Sequence, residues 1–425
     1  MLYLAQGFPQ GVLFTALPSW LAVNGQPAAS VGLVASASLL PWSLKFLVGG
    51  FVDRYAYLAM GRRRSWLIGA QFAIIALFLT FAAIQPDPGA TILIAGLAFC
   101  LSSATAIQDI ALDALVIDLT PEEELGRLNS FMFAGKLIGV AGGSAFTAFL
   151  IESYSIRLAM IGAMIFFMIP AIAALLIRER PGEKLLPWTK GSASAEALAV
   201  RHDNWWRLLK TAFSSLIRAD VFVVLALMVM YGFHQQVLDN SIALFAANEM
   251  GWGETRFSGL LASVNIVSAI FCLSLLGWLI DRRGPKMMAL IAGFAGAMSI
   301  TTLIFGKFIW GTDALFIAWY VVVTLSILPF YLAMLVMAMR VTDQATAATN
   351  FNVLMAGLAM GGTLGGASLG TIDGWGGFEA LFGVAAGVLV LSASCAFLLS
   401  GALGPVSRKD AHDLGSDEMT AIALP

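Results

Sequence analysis

Long apolar runs separated by short polar stretches recur along the whole chain. A helix that crosses a bilayer needs roughly 17–25 predominantly apolar residues. Runs of this kind lie near 2–23, 31–52, 66–85, 90–118, 127–151, 156–177, 220–246, 257–280, 287–306, 313–339, 346–371 and 377–402. The pattern predicts an all-α polytopic membrane protein with twelve transmembrane helices in two six-helix bundles.

The longest polar stretch inside the chain separates the two predicted bundles. We expect an N-terminal bundle at 1–177, a cytoplasmic linker at 178–218, a C-terminal bundle at 219–402 and a cytoplasmic tail at 403–425. The linker sequence NWWRLLKTAFSSLIR mixes apolar and basic positions at helical spacing. It predicts an amphipathic helix that lies on the inner membrane surface.

Composition agrees with this class of protein. The chain is 59% hydrophobic and 12% charged, whereas soluble proteins carry about a quarter charged residues. The net charge of −2 gives no sign of nucleic-acid binding. The cysteines Cys100, Cys272 and Cys395 all lie in apolar runs, so we expect no disulfide and no metal site. No nucleotide-binding loop or nucleophile constellation is present, so we expect neither an enzyme nor a cofactor.

The positions of the basic residues predict the orientation in the membrane. If both termini are cytoplasmic, most of the 24 Lys and Arg residues fall on the cytoplasmic side, and only Arg157, Arg256 and Lys307 fall outside. This bias follows the positive-inside rule. No charged leader precedes the first apolar run, so a cleavable signal peptide is not expected.

Two cytoplasmic loops repeat one pattern. GGFVDRYAYLAMGRRRSW at 49–66 and GWLIDRRGPKMM at 277–288 each contain Gly, three residues, Asp-Arg and a basic cluster. A repeat at matching places of two halves is typical of duplicated transporters. The loops resemble the signature of the major facilitator superfamily, which implies that they latch the cytoplasmic side of the outward-facing state. The residues of this predicted gate are Asp53, Arg54, Arg62, Arg63, Arg64, Asp118, Asp281 and Arg282. For Asp118, a solvated cap before Pro121 remains an equal alternative.

Several stretches of the first half resemble a narrower group. LPWSLKFLVGGFVDRY, GRRRSWLIGAQ and SSATAIQDIALDA resemble AmpG-type permeases and their acetyl-coenzyme A transporter relatives. AQGFPQGVLFTALPSWL fits that group and also the related siderophore importers. The resemblance implies proton-coupled import of anhydro-muropeptides, the fragments released from the cell wall, across the inner membrane. A siderophore or another anionic metabolite is the alternative substrate.

Away from the span ends, four charged residues lie deep inside the predicted spans of the first half. Asp109 and Asp113 are four residues apart in AIQDIALDALVIDLT and share one helix face. From the helical rise, Asp109 and Asp113 lie about 13 Å and about 7 Å deeper than Asp118, and Lys45 and Lys136 occupy a similar depth. Buried charges must pair, meet water or change protonation state. We predict a proton-coupling site with Asp109 first and Asp113 second, and Lys136 as the partner of an anionic substrate. The alternative is a structural ion-pair network in which Lys45 joins spans 2 and 4.

Polar residues in other spans complete the predicted site. His234 could relay protons, although a hydrogen-bonding role alone is the simpler alternative. The remaining candidates for substrate contact are Gln6, Gln10, Gln108, Gln235, Asp239 and Asn265. We expect Pro9 to loosen span 1 between its two glutamines.

We expect a monomer in the lipid bilayer whose partners are a small-molecule substrate and protons. The sequence leaves open two alternative functions from other classes of protein. One is a receptor or assembly factor that uses the same fold without transport. The other is an intramembrane enzyme that resembles prenyltransferases, since Asp-x-x-x-Asp also occurs there. That enzyme class usually carries a second acidic motif, which this sequence lacks.

Overall fold

The computed structural model describes residues 2–55, 57–119, 122–194, 198, 218–271, 276–306, 310–341 and 347–399. Helices of the first half are α1 (Leu2–Gly11), α2 (Leu17–Val23), α3 (Ala28–Ser43), α4 (Lys45–Arg54), α5 (Arg64–Ile84), α6 (Thr91–Leu119), α7 (Glu122–Ser153) and α8 (Ile156–Leu176). Helices of the second half are α9 (Ala219–Asn248), α10 (Glu254–Phe271), α11 (Gly277–Arg283), α12 (Pro285–Phe305), α13 (Asp313–Val341) and α14 (Ala347–Cys395).

Every predicted apolar run overlaps at least one of these helices, so the all-helical fold class is confirmed. Within the described ranges, 8 helical segments are long and apolar enough to cross a membrane by length and composition alone. The total of twelve spans and the cytoplasmic position of both termini stay predictions. The linker helix and the tail, predicted at 204–218 and 403–425, fall almost entirely outside the described residues.

Three runs are interrupted, each in its own way. The first run consists of α1 and α2 joined by the π-helical segment Val12–Ala16, so the irregularity lies beyond Pro9, which α1 accommodates. Pro9 removes one backbone N–H from the interior of α1, yet α1 stays helical to Gly11. The second run breaks at Leu44, between α3 and α4. The longest helix, α14, contains non-helical backbone at Gly376 and Gly377, where the two last predicted spans meet.

Glycines bring two pairs of helices into backbone contact, one pair in each half. A Cβ added to Gly139 of α7 would lie 2.1 Å from the carbonyl oxygen of Leu4 in α1. A Cβ added to Gly232 of α9 would lie 1.9 Å from the carbonyl oxygen of Leu358 in α14. Small residues permit this approach between membrane helices. The first and fifth runs of each half therefore pack alike, as the repeated loop sequences predict.

The two halves touch through α3 with α14, through α7 with α10 and through α2 with α9. On α3, a Cβ added to Gly32 would meet the Gly366 carbonyl oxygen at 2.1 Å, and the Ser36 hydroxyl donates to the Thr363 carbonyl at 2.6 Å. These contacts lie near the ends of α3 and α14 that the orientation prediction places outside. Among the described residues, the two halves are thus closed against each other on the side that the orientation prediction places outside.

Candidate functional site

Four charged side chains meet where α4, α6 and α7 come together, and we call Lys45, Asp109, Asp113 and Lys136 the charge layer. The Lys45 ammonium donates a hydrogen bond to Asp109 Oδ2 and lies 3.3 Å from Asp113 Oδ2. The Lys136 ammonium lies 3.7 Å from Asp109 Oδ1. Asp109 therefore bridges two cations from different helices, and Lys45 is shared between two carboxylates.

The two carboxylates differ in access to solvent. The Asp109 side chain is 5% exposed and the Asp113 side chain is 42% exposed. The side chains of Lys45 and Lys136 are 24% and 31% exposed. Asp109 is thus enclosed by its cations, whereas Asp113 faces an accessible space one helical turn away. With all four groups ionised, the layer carries no net charge.

An aromatic ring and two hydroxyls support the charge layer, and the sequence analysis did not find them. The Tyr3 hydroxyl donates to Asp113 Oδ1 at 2.8 Å. The ring centroid of Trp42 lies 5.8 Å from the Lys45 ammonium and 5.3 Å from that of Lys136. Its indole N–H donates to the Ser102 hydroxyl at 3.0 Å. An electron-rich ring beside two ammonium groups stabilises both cations. Trp42 and Lys45 are three residues apart in one predicted span, but the helix breaks at Leu44 between them, so helical spacing by itself would not have placed the ring beside the lysine.

Three of the predicted glutamines are buried. Gln6 and Gln10 lie on α1, and Gln108 directly precedes Asp109 on α6. Within the described residues, neither side-chain polar atom of Gln6 or Gln108 has a hydrogen-bond partner, and nor does Nε2 of Gln10. Buried amides normally find partners. These side chains therefore have hydrogen-bonding capacity available to a substrate or to water.

The predicted polar residues of the second half lie on two faces. His234 is buried, and its Nδ1 lies 2.7 Å from the Ala385 carbonyl oxygen, so Nδ1 carries the proton and donates. Gln235 and Asp239 are both exposed and lie four residues apart on one face of α9. Asn265 is exposed on α10. No described hydrogen bond joins His234 to the charge layer, so the structure places it as a link between α9 and α14.

The predicted gate residues are only partly described. The side chains of Asp53, Arg54, Asp118 and Asp281 lie outside the described part of the structure. Arg282 is exposed at the end of α11. The role of these residues in a cytoplasmic gate stays a prediction.

Arg62, Arg63 and Arg64 form a buried corner with a carboxylate that the sequence analysis did not single out. Glu179 accepts their backbone N–H groups at 3.2, 2.9 and 2.9 Å. The Arg64 guanidinium donates in return to the carbonyls of Ala174 and Leu175, both at 3.0 Å. Glu179 thus caps the N-terminus of α5, and Arg64 caps the C-terminus of α8.

In the described part of the chain, no group of three His, Cys, Asp or Glu side chains is placed to hold a metal ion.

Comparisons with known proteins agree with this architecture. Residues 1–359 match the family described as the Major Facilitator Superfamily. An uncharacterized protein of Haemophilus influenzae is 33% identical over 138 residues, 31% of this chain and 32% of that protein. The anhydromuropeptide permease of Escherichia coli strain K12 is 25% identical over 209 residues, 48% of this chain and 42% of the permease. The chain thus matches less than half the length of either relative.

Two solved structures share the fold along almost the whole chain. The nucleoside transporter NupG superposes with a TM-score of 0.69 at 17% identity, over 94% of this chain and 97% of that one. A D-xylose-proton symporter has a TM-score of 0.69 at 15% identity, over 96% and 97% of the two chains. At these identities the likeness concerns the fold alone.

Proposed function

The chain belongs to the Major Facilitator Superfamily, and we propose that it is a proton-coupled importer of anhydro-muropeptides that works by alternating access. The family and the Escherichia coli permease are membrane transporters, which confirms the prediction of a transporter rather than an enzyme. The charge layer carries the proposal for proton coupling. The similarity to the Escherichia coli permease supports the choice of substrate.

In the proposed mechanism, Asp113 takes up the coupling proton. Asp109 contacts both ammonium groups, so its negative charge is the better compensated of the two. Asp113 shares Lys45 with Asp109 at 3.3 Å and has the more exposed side chain. The sequence analysis ranked Asp109 first, and the geometry supports the opposite order. A proton that reaches the carboxylate of Asp113 makes it a neutral acid and frees Lys45 from one of its two anions.

Proton uptake changes the charge that the site offers to a substrate. The layer goes from neutral to a net charge of +1, because one of its two carboxylates no longer opposes the lysines. A muropeptide carries peptide carboxylates, which an uncompensated ammonium group attracts in a site of low dielectric constant. Lys45 then neutralises Asp109, so we assign Lys136, 31% exposed, as the cation that binds such a carboxylate. The amides of Gln6, Gln10 and Gln108 supply hydrogen bonds to sugar or peptide groups.

Binding of the anion and the proton together leaves the layer neutral again. Neutrality lowers the cost of closing the site between the halves, because an isolated buried charge is expensive. The protein then switches readily between its outward-facing and inward-facing states only when the site is empty or fully loaded. This requirement couples the flux of substrate to the flux of protons. The same chemistry would suit a siderophore or another anionic metabolite, so the substrate itself needs a direct test.

The test is uptake of labelled anhydro-muropeptide into proteoliposomes that contain the full chain. Uptake driven by an inward proton gradient is compared with counterflow, in which labelled substrate exchanges for unlabelled substrate without a gradient. We expect wild type to perform both. Asp113→Asn, which resembles the protonated acid permanently, should keep counterflow and lose gradient-driven uptake.

Two further variants make the result specific. Asp109→Asn should weaken both reactions, because both lysines lose their shared anion. Asp220→Asn removes an exposed carboxylate that pairs with Arg218 at 2.8 Å, far along the chain from the layer, and should behave as wild type. Gradient-driven uptake that survives in Asp113→Asn would refute the proton site. Folded wild type that transports a siderophore but no muropeptide would refute the substrate.

A further inference from the structure

A second pair of carboxylates lies where the two halves meet, between α7 and α10. Glu152, near the C-terminus of α7, accepts the backbone N–H of Thr255 at 2.7 Å. A Cβ added to Gly253 would lie 2.5 Å from Glu152 Oε1. A side chain of the first half thus caps the N-terminus of a helix of the second half. The orientation prediction places this contact on the outer side of the membrane.

Glu254, the first residue of α10, is buried at this contact. It is 3% exposed, and its Oε2 has no hydrogen-bond partner among the described residues. An ionised carboxylate in such a place is costly, while a neutral acid is far less so. The neighbouring Glu152 is exposed and accepts the Thr255 N–H, so it offers Glu254 no positive charge.

The other charged groups around α10 do not compensate Glu254. On α13, Asp313 accepts hydrogen bonds from Arg256 at 2.5 Å and from the Trp252 indole at 2.7 Å. The charges of Asp313 and Arg256 therefore neutralise each other. Glu249, in the turn before α10, is exposed. The segment Val12–Val23, which also packs against α10, contains no charged side chain.

Burial first, and the charge of Glu152 second, raise the pKa of Glu254 from 4.5 to about 8. Glu254 precedes the predicted span 257–280 and so lies at its outer boundary, where water reaches it once the halves separate.

We propose that Glu254 is a second proton-binding site, which holds a proton while α7 and α10 touch and releases it when their outer ends separate. The site is distinct from the charge layer and does not depend on the proposed substrate. It acts on the equilibrium between closed and open outer sides, because only the closed side buries the carboxyl group.

The sign of the pH dependence follows from linkage. The group has the higher pKa in the closed state, so its stabilisation of that state is full below about pH 4.5 and is lost as the pH rises through about 8. Between these limits the ratio of closed to open molecules falls by up to about tenfold per pH unit. An acidic exterior therefore favours closure of the outer side.

Distances between spin labels on the outer ends of the two halves test the proposal. Tyr154→Cys and Trp375→Cys, both at exposed positions, are labelled in a full chain whose native cysteines are replaced by Ser, in nanodiscs from about pH 5 to about pH 9. We expect a long-distance population that grows as the pH rises. Glu254→Gln should hold the short distance at every pH, and Glu249→Gln, a matched control on the preceding turn, should follow the unmutated profile.

A third variant keeps the proposal testable if Glu254→Gln does not fold. Glu152→Gln leaves Glu254 in place and removes its negative neighbour, so opening should shift to lower pH. The proposal would be overturned if the distance did not depend on pH or if the transition persisted in Glu254→Gln. It would also be overturned if the transition were not shifted in Glu152→Gln. If Asp109→Asn abolished the transition instead, the titrating group would be in the charge layer.

Discussion

The corner formed by Glu179 and Arg64 gives a prediction that separates a structural role from a gating role. We expect Glu179→Ala to destabilise the first half, because it removes one carboxylate that serves three backbone N–H groups at the start of α5. The same change leaves the Arg64 guanidinium on the end of α8. The expected loss of stability therefore comes from the N-terminal cap of α5.

The geometry sets the size of the effect. Hydrogen bonds to a charged group contribute about 1.5–3 kcal/mol each, and a buried donor left unpaired costs about 1–3 kcal/mol. The three bonds share one carboxylate and are not additive, and loss of a helix N-cap by itself costs about 0.5–2 kcal/mol. We therefore expect a loss of about 3 kcal/mol for Glu179→Ala. Glu179→Gln keeps one acceptor oxygen, so about half of that loss is expected.

Thermal unfolding of the purified full chain, followed by tryptophan fluorescence in one detergent, measures this loss. A change of 1 kcal/mol lowers the midpoint by about 2–4 °C in a cooperative unit of 150–250 residues, so Glu179→Ala should melt about 6–12 °C below wild type. Glu179→Gln should fall between the two. Asp220→Asn removes only an exposed ion pair and should stay close to wild type.

The transport rate of the folded fraction decides the interpretation. If the corner is structural, uptake per folded molecule is unchanged in Glu179→Gln at a temperature well below its midpoint. An unchanged midpoint for Glu179→Ala would refute the capping argument. A stable variant that loses uptake would instead support the gate predicted for the basic loop.

Two further predictions concern packing and the charge layer. Gly139→Ala should lower the melting midpoint, because its Cβ would lie 2.1 Å from the Leu4 carbonyl oxygen and overpacking costs about 1–3 kcal/mol. Gly142→Ala, which has open space around its Cβ, should stabilise the protein slightly. Equal midpoints for the two variants would contradict the close contact. Trp42→Phe keeps a ring beside the lysines and loses the bond to Ser102, so KM for counterflow should rise less than about tenfold. Trp42→Ala removes both cation–π contacts and should raise KM further, and identical KM values for the two variants would show that the ring itself has no role.

The helices themselves could be predicted from local pattern. The bounds of α5, α8 and α12 agree closely with the apolar runs, because the length of hydrocarbon that a helix must cross is fixed. The break at Leu44 follows Pro41 by three residues, and proline disturbs a helix interior, but the apolar run continues through this position and so did not predict the break. It matters for the site, because α4 begins at Lys45 immediately after it.

The candidate site could be predicted only in part. Asp109, Asp113, Lys45 and Lys136 stand out because charge is rare in apolar runs, and the structure brings all four together. Tyr3, Trp42 and Glu254 do not stand out, since an aromatic residue in a span and an acid at a helix start are both ordinary. His234 stands out in the sequence, but the structure turns its Nδ1 towards a backbone carbonyl of α14.

The sequence by itself determined that the chain is a helical membrane protein with a repeated half and charges inside its spans. These properties are local, because each depends on a run of neighbouring residues and on the cost of polar groups in lipid. Only the tertiary structure decided which charges pair. Lys45 and Asp109 are 64 residues apart, and their contact depends on the rotation and depth of two helices packed together, which local pattern does not specify.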